Sequence, residues 1–330
     1  MGYTNFPNGI TSFGIPLPAS NYAPVFGNRI FVYGTDGSDS NVAGVSPDSP
    51  YKTIQAAVTY QAAHNSGKGD VIHVLPGTYA ESITGDLNGV QIIGSGATPS
   101  SVQITPTDGG SFAGAMTNSA LRNLTMYSSS STNPEYAACR VNQMTGSIVD
   151  SCHFFAGTDT STTATGFRIG GDEVGGLGGA AKMIMFRSSF VNNVIGTAIS
   201  GDCFYWGFVM GASLKDTDTN NSNHYCIGSI IGNNRINAEL NAIYLNHNQN
   251  SGGSTYIIGN TCMGAHLERG NCGEAAIKAY QAGSENVLIK VIGNMCNSDD
   301  GIVGFDSHNL MNNLSAIHLT NAVGQYPAHA

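Results

Sequence analysis

Ile231-Gly232-Asn233, Ile258-Gly259-Asn260 and Ile292-Gly293-Asn294 are one phrase written three times in the C-terminal half of the chain. Each copy is followed by a small residue and then an apolar one, as Ala242-Ile243, Ala276-Ile277 and Gly301-Ile302. Ala198-Ile199 and Ala316-Ile317 extend the second phrase in both directions. Self-similarity at a short, variable period marks a solenoid. The units are strand-like and punctuated by Gly and Asn, so the solenoid expected is a parallel β-helix. Asn233, Asn260 and Asn294 read as one turn repeated on successive coils, a structural ladder of stacked asparagines. Asn tolerates the left-handed conformation of a tight bend and bonds its neighbours.

The composition agrees. Of 330 residues, 43 are Gly and 11% are charged, against about 25% in ordinary globular chains. Net charge is −9 and no Lys/Arg cluster occurs, which argues against nucleic acid as a partner. No run reaches the roughly 18 apolar residues of a membrane span, and residues 1–19 do not read as a secretory signal. The seven cysteines lack paired Cys-x-x-Cys spacing. They read as buried reduced thiols rather than a zinc site, and no metal or cofactor is expected.

Three regions are expected: an arm at 1–28, a β-helix entry at 29–80, and a β-helix body at 81–330. The arm contains no Asp, Glu, Lys or Arg and carries Pro7, Pro16, Pro18 and Pro24. Phe6, Ile10, Phe13, Ile15 and Leu17 are its anchoring candidates, because an apolar, proline-stiffened segment must pack against something. In the entry, Thr53 is a candidate N-cap, with Ile54, Ala57, Val58 and Gln61 at helical spacing. A short capping helix there would plug the open end of the rod. Single strands are expected at Leu121–Met126, Ser147–Phe155, Met183–Phe190 and Tyr225–Ile231, among others, and Pro76–Tyr79 reads as a turn. The longest polar excursions are Asp159–Thr165, Gly170–Ala181, Asp216–Asn223 and Asn248–Ser254.

Ser49-Pro50-Tyr51-Lys52-Thr53-Ile54-Gln55-Ala56-Ala57, then Gly69-Asp70-Val71-Ile72-His73-Val74 and Pro76-Gly77-Thr78-Tyr79, resembles the opening of pectin-lyase-like right-handed β-helix proteins. The resemblance implies an all-β, right-handed parallel β-helix over roughly 29–320 and says almost nothing of activity. Thr4-Asn5-Phe6-Pro7-Asn8-Gly9-Ile10-Thr11-Ser12-Phe13-Gly14-Ile15-Pro16 resembles the N-terminal segment of tailed-phage virion proteins. It implies attachment to a capsid or other virion protein through residues 1–28, and assembly in a host cytoplasm.

Catalytic candidates are weak. Asp299-Asp300 supplies a carboxylate pair, but no Gly-His-Gly occurs, and Leu288-Ile289-Lys290 stands where polygalacturonase-like enzymes carry Arg-x-Lys. Glu239, Glu268, Arg269 and Asp300 would form an acid–base site only by converging on one face. Tyr244, Tyr256, Tyr280 and Trp206 read either as a sugar-stacking strip or as packing against sister rods. The expectation is a structural virion protein, a capsid decoration or head-fibre protein that forms homotrimers and adheres to glycans, more a scaffold than an enzyme. The alternatives are a tailspike depolymerase or lyase and a non-catalytic glycan-binding module.

Overall fold

The computed structural model describes residues 11–12, 15–16, 27–40, 44, 46–64, 66–129, 137–156, 165–170, 184–196, 204–210, 225–245, 255–264, 275–279, 289–298, 301–303, 305 and 310–317. They build a parallel β-helix. One sheet of ten described strands runs from Arg29–Val32 through Asp70–Val74 and Val90–Gly94 to Ile289–Ile292 and Leu310–Met311, each strand parallel to the next. A larger sheet of twenty described strands wraps the remaining sides, also nearly all parallel.

Register explains the stack. Ile30, Ile72, Ile92, Leu121, Val149, Phe190, Ile231, Ile257, Val291 and Leu310 are successive Cα partners along the ten-stranded sheet. From Ile30 through Val291 this inward row is almost wholly shielded, and Leu310 packs on the same core. Each coil offers one apolar side chain to this row, and β-branched residues fit such pleated interiors. Mid-rod, Phe154, Phe167, Phe190 and Phe208 fill the interior with ring centroids 4.6–5.9 Å apart. Five of the cysteines, among them Cys139, Cys152 and Cys226, are buried and free, and burial pushes Cys152 and Cys226 up to about 12.

Several expected single strands are two strands meeting at a corner. Leu121–Met126 divides into Ala120–Arg122 and Thr125–Ser129 at Asn123, which has φ 54°. Ser147–Phe155 divides at Ser151, φ 56°, Met183–Phe190 at Arg187, φ 46°, and Tyr225–Ile231 at Gly228, φ 61°. One residue in the left-handed region turns the chain without breaking the apolar run, so the corner is invisible to hydrophobic periodicity. Likewise Gly77–Tyr79, expected as a turn, is a short strand paired with Val102–Ile104.

The helix is Ile54–His64 and buries Ile54, Ala57, Val58 and Gln61, as its spacing predicts. Thr53 Oγ1 accepts from the Ala56 N–H at 3.2 Å, completing the N-cap. Glu81 reinforces that end, accepting from the Ile54 and Gln55 amides at 2.9 and 2.8 Å. The helix packs over the first coil, against Arg29–Val32 and Asp70–Val74.

Two polar ladders tie the coils together. At one corner Asn193, Asn234, Asn260, Asn294 and Asn313 stack at sequence spacings of 41, 26, 34 and 19 residues. Each Oδ1 accepts from the backbone amide and the Nδ2 of the rung before. Each Nδ2 also donates to a carbonyl of the preceding coil, as Asn234 does to Phe190 at 3.0 Å. The register corrects one expected rung. Asn260 and Asn294 stand in the ladder, but Asn233 does not: it is exposed at φ 55°, aligned with Gly259 and Gly293, and the rung is Asn234. The phrase Ile-Gly-Asn repeats in sequence one residue out of phase with the stack, because Ile231 pairs with Ile257 rather than Ile258.

At a second corner a serine ladder runs beside it. The Ser119, Ser147 and Ser188 amides donate to Ser147, Ser188 and Ser229 Oγ at 3.1–3.2 Å. All four serines are buried. Every rung follows a left-handed residue, Asn118, Gly146, Arg187 or Gly228.

Candidate functional site

The strands Ala137–Thr145, Thr165–Ile169, Phe204–Met210, Arg235–Leu245 and Ile277–Ala279 lie in register on one side of the rod. Their inward partners are Cys139, Phe167, Phe208, Ile243 and Ile277. Alternation along a strand turns the next residue outward, which aligns Arg140, Arg168, Val209, Tyr244 and Lys278 in one column. Trp206, Val209 and Tyr244 form an apolar cluster separate from the rod interior, with Leu240 packed on it. The segments 157–164, 171–183, 211–224 and 246–254 join the ends of these strands in sequence and lie outside the described residues.

This column is the densest chemistry among the described residues. Arg168 is fully buried and Arg140 partly so. Lys278 Nζ sits 5.8 Å from the centroid of the Tyr244 ring, its neighbour in register. Arg140 and Lys278 are the partly exposed members of the column and could donate to anionic or polyhydroxylated groups, whereas Arg168, Trp206 and Tyr244 are buried behind that surface. A signal for it stood in the sequence. Cys139-Arg140-Val141, Phe167-Arg168-Ile169 and Ile277-Lys278-Ala279 are the same apolar–basic–apolar triplet.

Of the catalytic candidates, Glu239 is partly buried in Arg235–Leu245, next to Leu240, and every other described carboxylate lies before residue 151. Glu268, Arg269 and Asp300 lie outside the described residues, as do Phe6, Ile10, Phe13 and Leu17 of the arm. Ile15 is described only as backbone, paired with Ser12. No group of three His, Cys, Asp or Glu able to hold a metal occurs among the described residues. No described helix is long and apolar enough to cross a membrane.

The four aromatic candidates do not form one strip. Tyr244 and Trp206 are buried in the outer cluster. Tyr256 lies on the ten-stranded sheet with Lys290 Nζ 6.0 Å from its ring, and Tyr280 lies outside the described residues. A separate shallow depression of about 370 Å³ is lined by Thr145, Ile184, Phe186 and Ile227. The Arg187 guanidinium lies 5.0 Å from the Phe186 ring centroid beside it.

No family model and no curated protein matches the chain. Solved structures do. Escherichia coli YbhC aligns over 93% of this chain and 90% of its own, with a TM-score of 0.50 and 12% identity. Rice weevil pectin methyl esterase covers 81% and 87%, with a TM-score of 0.49 and 13% identity. The Dettilon tailspike protein covers 82% of this chain and 50% of its own, with a TM-score of 0.41 and 14% identity. The architecture is a right-handed parallel β-helix, the fold shared with the first of these structures. Identity this low speaks to fold and leaves chemistry to the residues.

Proposed function

We propose that this chain is a structural protein of a phage virion, a capsid decoration or head-fibre protein, whose β-helix projects from the particle and adheres to surface glycans. The observation that carries the adhesive role is the pair of partly exposed cations, Arg140 and Lys278, in one outward column whose other members Arg168 and Tyr244 are buried. It sets cations on one side of a chain whose net charge is −9. Such a column favours sugars bearing carboxylate or phosphate, which Arg binds in bidentate fashion. The virion role rests on the uncharged, proline-rich arm at 1–28, which needs a partner surface.

Two experiments test the two halves. Immunogold labelling of intact particles is expected to decorate the head, and deleting residues 1–28 to leave a soluble rod that no longer binds particles. Full binding by the truncated rod would end the anchoring role. A glycan array probed with the rod is expected to give signals on acidic surface glycans that fall at least tenfold in Lys278→Ala. A blank array would end the adhesive role.

One observation favours a second reading, a polysaccharide depolymerase. Glu239 adjoins Leu240, which packs on the Trp206 and Tyr244 cluster, so a carboxylate stands on the same strand as that column. Polysaccharide cleavage that is lost in Glu239→Gln would establish it, and absence of cleavage by the unmodified chain would remove it.

A further inference from the structure

Every large hydrophobic residue exposed among the described residues lies at or beyond Ile230. Most gather where the asparagine corner passes through the last coils. On one flank Ile258, Ile292 and Met311 are successive partners, and on the other Thr261, Met295 and Leu314. Met311 is 51%, Met295 56% and Leu314 61% exposed. The apex between the rows is Asn233, Gly259, Gly293 and Asn312, all left-handed and none charged. The amides of Asn233, Gly259 and Gly293 donate to carbonyls of the next coil at 2.9–3.0 Å. These three therefore leave no orphaned backbone donor on the crest.

Two exposed cations border this ridge, Arg235 and Lys290. Lys290 precedes Ile292 by two positions on the same strand, which sets it about 7 Å farther from the apex. It stands beside Tyr256, with Nζ 6.0 Å from the ring centroid. Arg235 heads the other row, one coil before its partner Thr261. Neither cation is ion-paired among the described residues, whereas Arg122, at the same corner earlier in the rod, is neutralised by Asp150 at 3.9 Å. The late corner is thus apolar at its crest and basic at its edges, and the early corner is neither.

We infer that this ridge docks on an anionic lipid surface. Its two characters call for a partner that offers acyl chains and negative charge together, and a membrane of anionic lipids offers both. An acidic glycan would satisfy Arg235 and Lys290 but leave Met295, Met311 and Leu314 in water. A second copy would cover the apolar rows but bury two cations without counter-charge, since Glu239 is the one described carboxylate beyond residue 150. In a bilayer interface the crest enters the headgroup–acyl boundary, where surface-lying elements bury roughly 5–10 Å. Lys290 and Tyr256, about 7 Å back from the Ile258 and Ile292 row, then sit at headgroup level, where cations and tyrosines are favoured. The methionines are unbranched and adapt to mobile chains. Ten strands spaced about 4.8 Å apart put the last coil roughly 40 Å from the one at Arg29–Val32. A rod held by its N-terminal arm presents the ridge at its far end.

Flotation of the full chain with lipid vesicles at low salt tests this. The chain is expected to float with vesicles of phosphatidylcholine and phosphatidylglycerol and to stay behind with phosphatidylcholine alone. Lys290→Gln is expected to weaken the anionic binding about fivefold, one cation's share at such a surface. Met311→Glu is expected to abolish binding and Met311→Leu to preserve it. The Met311 side chain is more than half exposed, so the coil itself tolerates these changes. Met311→Trp reports insertion: its emission is expected to shift to the blue on anionic vesicles, while Trp206 is buried and gives a constant background. The vesicles carry no sugar, so the result is independent of the Arg140 and Lys278 column. No flotation, flotation indifferent to Met311→Glu, or an unshifted emission in Met311→Trp would overturn the inference. So would a soluble oligomer that Met311→Glu dissociates, which would put a second copy on the ridge.

Discussion

The coils before residue 157 and those after 225 share one interior and differ in almost everything outside it. The inward row of Ile, Leu, Val and Phe passes through both halves without a break. On the corner, the early coils carry Arg122, Asp150 and His153, and the late ones Ile258, Met295 and Met311. The corner itself also changes. Leu124 and Cys152 follow its left-handed residue in the early coils, and from Asn193 onward an asparagine takes that place. The halves show that stacking is satisfied by one inward side chain per coil and one residue able to bend. The exterior is then free to differ, with an ion pair on the early corner and exposed apolar side chains on the late one.

The largest effect expected from breaking this scheme is at the ladder. Asn234→Ala strands the Asn193 amide and the Phe190 carbonyl in a buried corner. Buried unsatisfied groups cost about 1–3 kcal/mol each, so the loss is about 3–5 kcal/mol by denaturant unfolding. Asn233→Ala, one residue away, is exposed and loses only left-handed tolerance, about 1 kcal/mol. Equal effects from the two substitutions would undo the register assigned above.

Acid separates the halves next. All described histidines lie before residue 157. His73 stacks on Phe31 with ring centroids 5.5 Å apart. Burial, then the charge of Arg29, pushes it down to about 4 from 6.5, and burial lowers His153 too. A depressed folded value means the neutral ring is favoured in the fold. Its stabilisation is complete above pH 6.5 and is lost as pH falls toward 4, up to about 3 kcal/mol. Hydrogen exchange at pH 5 against pH 7.5 is expected to show faster opening of Asp70–Val74 and Val90–Gly94, with Thr255–Ile258 unchanged. His73→Phe is expected to remove most of that difference.

The smallest effect expected from removing a ladder rung is at the serine corner, which runs between the halves. Ser147 Oγ accepts from the Ser119 amide and donates to the Thr145 carbonyl at 2.8 Å. Ser147→Ala is expected to cost about 1–2 kcal/mol in thermal unfolding. A cost below about 0.3 kcal/mol would mean the serines follow the corner without supporting it.

How much of this was legible in the sequence follows from what each signal measures. Apolar rows and the helix at Ile54–His64 were legible because burial and helical spacing act over neighbouring residues. The ladder was legible as a motif but misplaced at Asn233. Asn and Gly both tolerate the bend, so the repeat could slide by one position without changing its look. The serine ladder was missed because Ser is common throughout this chain and Arg187 stands where Asn or Gly precedes the other rungs. The Arg140, Arg168 and Lys278 column was missed because its members lie on coils of unequal length, so spacing alone does not align them. Convergence of Glu239 with Glu268, Arg269 and Asp300 was never a property of sequence, and the last three lie outside the described residues.

The unequal spacing of the asparagine rungs has a mechanical consequence. Bonds between coils point along the rod, so a pull on its two ends loads them one after another rather than all at once. A coil that peels away frees the residues between one rung and the next, 41, 26, 34 or 19 of them. At roughly 3.3 Å per extended residue, those are unequal lengths of about 135, 85, 110 and 60 Å. A tethered particle held by such a rod would feel a series of yielding steps, each of its own length, before the attachment failed.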